Sequence, residues 1–229
     1  HSVYAAIIVC AKSGKQIMDK LLSGKDYGFI FVPYINPGFA LAKNIYDSIG
    51  QYKAKHGKTP QVIFMKNHGL VVHDNDCKRA MNILKDVNDT IKAHFDISFE
   101  ELKEIKLGKE GDCLISETPA VTEFLKNNDI DNSFFDKYPL YPDQLVYLNA
   151  NFRLTPDRII IKDQKVYYKN VSLKEVITLE ETLAAYLFVM SKLIKHNLEI
   201  SLMSKKDVNF INNWEAEKYR RSLNNTKSN

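Results

Sequence analysis

Apolar residues in the first 95 positions fall into short continuous runs separated by stretches with helical spacing. The continuous runs cover residues 2–9, 28–32, 62–65 and 70–72. Several of them carry β-branched residues, and uninterrupted apolar runs of this length are typical of buried strands. The pattern therefore predicts four strands in this part of the chain.

Each interval between these runs has apolar residues at the spacing of an amphipathic helix. Ser13 opens a capping-box pattern that predicts a short first helix. Asn36 and Pro37 predict the start of a long second helix, with Asn as the N-cap and Pro in the first turn. Aspartates at 74–76 predict the cap of a third helix, which continues to Phe95.

The alternation of strands and helices in residues 1–100 is typical of a layered α/β fold. This alternation ends near residue 100, and we assign residues 101–229 to a mixed C-terminal extension. A hairpin is predicted at 158–169, and two helices are predicted to begin at Ser172 and Ser204. The apolar face of the first of these helices needs a partner, so we expect the extension to pack on the first part.

The composition is that of an ordinary globular chain of 229 residues with a net charge of +4. No apolar run is long enough for a membrane span, and no dense basic stripe suggests nucleic-acid binding. Three widely spaced cysteines favour reduced thiols and a cytoplasmic protein. Because position 1 is His and no secretory leader is recognisable, we expect the chain to begin partway through a longer protein.

Two of the six histidines stand out by their context. His68 lies in Asn67-His68-Gly69, between two apolar runs, where a turn can present its ring to a cleft or simply bond a backbone carbonyl. His1 directly precedes the first apolar run. A catalytic zinc normally has three protein ligands, so these two histidines do not define a metal site by themselves. The remaining histidines are predicted on surface turns and helix faces: His56, His73, His94 and His196.

Three segments of the chain carry motifs in a distinctive order. In residues 61–95, an apolar strand, a His-Gly turn, a second strand and a helix follow one another. They are preceded by the stretches HSVYAAIIVC (1–10) and FVPYINPGFALAKNI (31–45). Together these segments resemble the class II aldolase/adducin family, with its strand after a His-x-His pair and its Val-Pro-Tyr…Pro-Gly…Leu-Ala stretch. Residues 138–219 are similar to the extension of larger members related to rhamnulose-phosphate aldolases. In some of these a short-chain dehydrogenase domain follows.

The resemblance implies a three-layer αβα sandwich around a central, mainly antiparallel sheet that lacks its N-terminal part. It also implies that His1 and His68 are ligands of Zn²⁺ or another divalent metal. The family's acid/base and its phosphate-binding loops precede the position of His1, so no catalytic residue is assigned. Tyr4 and Tyr34 lie in the right region, but packing roles are expected for both. No Gly-rich dinucleotide fingerprint occurs, so we expect no nicotinamide site.

The function implied by the resemblance is that of a lyase, an aldolase that cleaves a ketose 1-phosphate through a zinc-stabilised enediolate. The resemblance also implies a homo-tetramer, and we expect the 229-residue chain alone to be a poor catalyst. Two alternatives stay open. One is epimerisation or related metal-enolate chemistry on the same fold, and the other is a non-catalytic, adducin-like scaffold.

Overall fold

The computed structural model describes residues 1–98, 104–154 and 157–214, and it shows a mixed α/β protein with two separate sheets. The predicted α/β class is therefore confirmed. In chain order the elements are α1 (Val3–Val9), α2 (Gly14–Leu22), β1 (Phe29–Val32), α3 (Phe39–His56), β2 (Val62–Met65), β3 (Gly69–Val72), α4 (Cys77–His94), β4 (Leu107–Glu110), β5 (Cys113–Ser116), α5 (Pro119–Asn127), α6 (Phe134–Lys137), a π-helical segment (Gln144–Asn149), α7 (Ala150–Leu154), β6 (Ile159–Lys162), β7 (Lys165–Tyr168), α8 (Leu173–Lys195) and α9 (Lys205–Asn213).

The chain divides into two compact units. The first unit contains His1–Phe99 and Val189–Ser201, and the second contains Glu100–Phe188 and the chain from Leu202 onward. The division near residue 100 coincides with the boundary drawn from the sequence. The inclusion of Val189–Ser201 in the first unit does not follow from the sequence pattern.

The sheet of the first unit has the strand order β1-β2-β3. β1 pairs in parallel with β2, and β2 pairs antiparallel with β3. The strands predicted at 28–32, 62–65 and 70–72 are confirmed. The prediction of a mainly antiparallel sheet is wrong, because the crossover through α3 returns the chain in the same direction and makes one of the two pairs parallel.

The first apolar run forms a helix, so the strand predicted at residues 2–9 is wrong. The Ser2 side chain caps α1 by accepting a hydrogen bond of 3.2 Å from the backbone N–H of Ala5. Periodicity alone cannot separate a short buried helix from a buried strand, and here the cap and the two alanines favour the helix. The helix buries Ala5, Ile7, Ile8 and Val9.

The helix α3 packs against β1 and β2 through an apolar cluster formed by Val32, Leu41, Ile63 and Met65. The helix begins at Phe39 after Gly38, whose φ of 117° favours glycine. Asn36 is therefore not the N-cap, and its side-chain oxygen instead accepts a hydrogen bond from the Tyr34 hydroxyl at 3.2 Å.

Two predicted caps in the first unit have different outcomes. Asp76 caps α4 and accepts from the backbone N–H of Lys78 at 2.9 Å, as predicted. Ser13 precedes α2 but its side chain makes no capping hydrogen bond, so that capping box is wrong. The buried face of α4 carries Ile83, Val87 and Ile91, and α4 contacts both α1 and α2.

The second unit contains an antiparallel sheet with the strand order β4-β5-β7-β6. The predicted hairpin is confirmed as β6 and β7, joined through Asp163 and Gln164, which have φ values of 51° and 58°. The predicted helix after Ser172 is confirmed as α8, and the Ser204 side chain caps α9 by accepting from Asp207. The end of the last predicted helix, including Tyr219, lies outside the described residues. Within the described parts of the chain, no helix has both the length and the apolar character that a membrane span requires.

Candidate metal site

The turn between β2 and β3 is held in place by backbone hydrogen bonds to two other elements. The N–H of Lys66 donates to the carbonyl of Val32 at the end of β1, at 2.9 Å. The N–H of Asn67 donates to the carbonyl of Val9 at the end of α1, at 3.0 Å. His68 is the last residue of this turn, so its backbone position is set by both β1 and α1.

Asn67 occupies a backbone conformation that few residue types adopt. Its φ is 50°, in the left-handed region that Asn tolerates better than most residues. Its side chain is buried and donates to the carbonyl of Ser201 at 2.6 Å. The Asn67 side-chain oxygen accepts from the Ser201 hydroxyl at 3.1 Å. Asn67 thus ties the turn to the chain that follows α8.

The rings of His1 and His68 are neighbours in an edge-to-face arrangement. Their centroids are 5.7 Å apart and their planes are inclined by 67°. The backbones are also close, since a Cβ atom built on Gly69 would lie 3.9 Å from the Cα of His1. The structure therefore brings together the two side chains that the resemblance pairs as metal ligands. Their role as ligands stays a prediction.

The separation of the two ring centroids is compatible with a shared divalent metal, which would also require one nitrogen of each ring to face the same point. Two imidazoles that bind one zinc at about 2.0–2.1 Å place their ring centroids roughly 5–6 Å apart. Among residues 1–98, 104–154 and 157–214, no group of three or more His, Cys, Asp or Glu side chains is placed to hold a metal ion. Within the described residues, His1 and His68 are therefore a pair of neighbouring imidazoles with no third His, Cys, Asp or Glu placed to complete a metal site.

Tyr4 and Tyr34 both belong to the first unit. Tyr34 follows β1, and the carboxyl ends of the parallel strands β1 and β2 meet at one edge of the sheet. Its hydroxyl donates to Asn36, as described above. The ring of Tyr4, on α1, lies under the ammonium group of Lys92, which is 5.5 Å from the ring centroid. The packing roles expected for both tyrosines stay predictions.

Three other histidines make contacts elsewhere in the first unit. His56 stacks on Tyr52, with ring centroids 4.3 Å apart, at the end of α3. His94 and His196 both contact the ring of Phe95 edge-on, at centroid distances of 4.7 Å and 5.1 Å. Burial lowers the pKa of His94, and the nearby positive charges lower it further.

Sequence reasoning missed Ser201 as a neighbour of the site. Ser201 is 134 positions from Asn67 and lies between two predicted helices. No local pattern identifies such a residue, because its importance comes from what it contacts.

No protein-family model matches the chain, and no solved structure matches it. The chain is similar to a protein named "Uncharacterized oxidoreductase YuxG" from Bacillus subtilis (strain 168), with 28% identity over 95 residues. That stretch is 38% of this chain and only 13% of the relative, so the similarity spans a small part of a much longer protein.

This similarity corrects one prediction. The resemblance led us to expect that the protein is an aldolase-type lyase, an enzyme that breaks a carbon–carbon bond. The relative is named an oxidoreductase, which is a different class of enzyme. The lyase assignment is therefore contradicted and is not carried further.

Proposed function

We propose that the first unit is the metal-binding half of a class II aldolase/adducin-like domain with three αβα layers. We propose further that it binds a small hydroxy-carbonyl compound of the sugar-phosphate class within an oxidoreductase. The domain's metal is Zn²⁺ or another divalent ion. The order of the three segments that resemble the family supports this domain type. The name of the bacterial relative supports the reaction class.

The observation that carries the proposal is the juxtaposition of His1 and His68. They are far apart in sequence and belong to different elements, yet their ring centroids are 5.7 Å apart. His1 precedes α1, and His68 ends a turn whose backbone is bonded to α1 and β1. A donor pair built on elements that are fixed to one another is pre-organised for a ligand.

The packing of α3 supports the layered arrangement. α3 covers the sheet face that carries Ile63 and Met65. Side chains alternate between the faces of a strand, so Val62 and Phe64 point to the opposite face. Both are fully buried, and α1 contacts β2 and β3.

The chemistry follows from the donor type. A bound divalent ion supplies a Lewis acid that polarises a carbonyl or hydroxyl oxygen of the substrate. Neutral imidazoles leave the positive charge of such an ion in place, which suits an oxygen ligand that gains negative charge. The contribution proposed for this chain is to hold the two rings and so to orient the substrate oxygens. Hydride transfer is not assigned to it, since the sequence has no Gly-rich dinucleotide fingerprint.

Metal titration tests the proposal. The chain is titrated with Co²⁺, followed by its visible absorption, and with Zn²⁺ in competition. We expect His68→Ala to weaken binding by about 100-fold or more, because a direct ligand contributes at least as much as an outer-shell partner. His56→Ala is the matched control, since His56 is exposed at the end of α3.

A second measurement addresses the substrate class. Dihydroxyacetone phosphate is added to the metal-loaded chain, and binding is followed by NMR line broadening. Binding that disappears with a chelator and in His68→Ala supports the proposal. Equal metal affinity in His68→Ala would remove the proposed site, and no metal binding at all would favour the adducin-like scaffold.

A further inference from the structure

The three residues Glu199–Ser201, here called the return segment, contact the chain at the end of α1, the helix that follows His1, and also the turn that carries His68. We propose that the return segment positions His1 and His68 relative to each other, and that Ser201 is a positioning residue for the metal site. This inference rests on the proposed function for its meaning. It depends on contacts that can be tested with or without metal.

The return segment is joined to the end of α1 by backbone interactions. The N–H of Ser201 donates to the carbonyl of Cys10 at 2.7 Å. The N–H of Lys12 donates to the carbonyl of Glu199 at 2.8 Å, and Ala11 forms an antiparallel bridge with Ile200. The side chains of Lys12 and Glu199 add an exposed ion pair. The segment thus pairs with residues 10–12 as a short extended strand would.

The same segment is joined to the His68 turn through one side-chain pair. Asn67 and Ser201 are 2% and 5% exposed, and they exchange the two hydrogen bonds described above. A polar group at this depth that loses its partner is left without a compensating hydrogen bond. Burial therefore makes the Asn67–Ser201 pair a specific connection.

These contacts link Asn67, Val9, Cys10 and Ser201 in a closed loop of hydrogen bonds, here called the circuit. Asn67 donates to Val9 at the end of α1, Ser201 donates to Cys10 beside it, and Ser201 bonds back to Asn67. His68 is the next residue after Asn67. His1 lies at the other end of α1, a helix of 7 residues. The circuit fixes α1 and the turn together, and with them the separation of the two rings.

Residues that orient metal ligands without binding the ion contribute measurably to metal affinity. They do so because the site is already ordered when the ion binds. Ser201 contacts Asn67, which precedes His68, and Cys10, which caps the helix after His1, so we expect it to influence both histidines. Loss of its hydroxyl leaves its backbone bonds in place and removes only the connection to the Asn67 oxygen.

The test compares three variants. Ser201→Ala removes the hydroxyl, and Asn67→Asp keeps a residue that tolerates positive φ while it removes the amide donor. Ile91→Val is the matched control, since it trims a buried residue of α4 that is not part of the circuit. All three are made in the full chain, with urea unfolding as a check that each variant is folded.

The first readout is Co²⁺ affinity. We expect Ser201→Ala and Asn67→Asp to bind Co²⁺ about 10–100-fold more weakly than the wild type, as is typical for outer-shell partners. Ile91→Val should stay within about twofold of the wild type, since outer-shell effects are specific to groups that contact the ligands. Wild-type affinity in both circuit variants would overturn the inference.

The second readout needs no metal. In the metal-free wild type we expect nuclear Overhauser contacts between the imidazole protons of His1 and His68. We expect these contacts to weaken in Ser201→Ala. We also expect the backbone N–H of His68 to exchange its hydrogen with solvent faster in this variant. If the wild type binds no Co²⁺, the proposed function fails, and the ring contacts alone decide the positioning role. Ring contacts and exchange rates unchanged in Ser201→Ala would refute that role.

Discussion

The hydroxyl of Tyr168 donates a hydrogen bond of 2.5 Å to the carboxyl of Glu180, which is fully buried in the second unit. The hydroxyl of Ser116 donates to the other carboxyl oxygen, also at 2.5 Å. Glu180 belongs to α8, while Ser116 and Tyr168 end the neighbouring strands β5 and β7. A single acidic side chain thus joins the helix to the middle of the sheet.

This arrangement predicts a pH-dependent stability. Burial raises the pKa of Glu180 above its ordinary value of 4.5, although hydrogen bonds from Ser116, Thr118 and Tyr168 oppose the rise. The folded chain therefore binds this proton more tightly than the unfolded chain does. The stabilisation is complete below pH 4.5 and is lost as the pH rises through the raised pKa.

Urea unfolding measured across this pH range checks the sign. Glu180→Gln keeps a neutral side chain at every pH, so the decline in unfolding free energy above pH 4.5 should become shallower. Glu181→Gln, at an exposed position of the same helix, is the matched control. An identical slope in wild type and Glu180→Gln would contradict the prediction.

The titration of His94 should respond to a nearby lysine. Burial is the largest cause of its lowered pKa, and the charges of Lys20 and His196 lower it further. We expect Lys20→Gln to move the pKa of His94 upward, toward its ordinary value of 6.5, because one repelling charge is removed. NMR titration of the His94 imidazole protons measures this pKa. Lys15→Gln is the control, because Lys15 lies on α2 with Lys20. No upward movement in Lys20→Gln would show that the charge of Lys20 does not lower the pKa of His94.

The Ser2 cap should stabilise α1. Ser2→Ala removes the acceptor for the Ala5 N–H and the hydrogen bond to Asn88, and we expect it to lower the free energy of unfolding by about 1 kcal/mol. Ser2→Asp should retain most of the stability, because its carboxylate can also cap. Ser23→Ala, at an exposed position after α2, controls for the loss of a hydroxyl. Equal stability of Ser2→Ala and the wild type would argue against a capped helix at residues 3–9.

The β6–β7 turn offers a stabilising substitution. Gln164 has a φ of 58°, which costs a residue with a side chain about 1 kcal/mol compared with glycine. We expect Gln164→Gly to raise the free energy of unfolding by about 0.5–1 kcal/mol. Gly111→Ala, at a φ of 59° between β4 and β5, should lower it by a similar amount. Thermal or urea unfolding of the two variants distinguishes these opposite signs, and the same sign for both would contradict the argument.

Sequence pattern alone determined the elements whose signals are local. The strands β2 and β3, the amphipathic helices α4 and α8, and the β6–β7 hairpin are visible because spacing, caps and turn residues lie within a few positions of one another. His68 could be selected in the same way, because its turn is flanked by two apolar runs. The resemblance to a known family added His1, whose local context is uninformative.

The tertiary structure decided what depends on distant contacts. Whether residues 3–9 form a helix depended on a cap and on burial, since a short apolar run is compatible with strand and helix alike. The direction of β1 relative to β2 depended on the path of α3. The return of residues 199–201 to the His68 turn, and the 5.7 Å between the two imidazole rings, come from hydrogen bonds and packing between segments far apart in sequence. Such pairings leave no periodic trace in the sequence, because each partner satisfies only its own local rules and the contact exists only once the chain has folded.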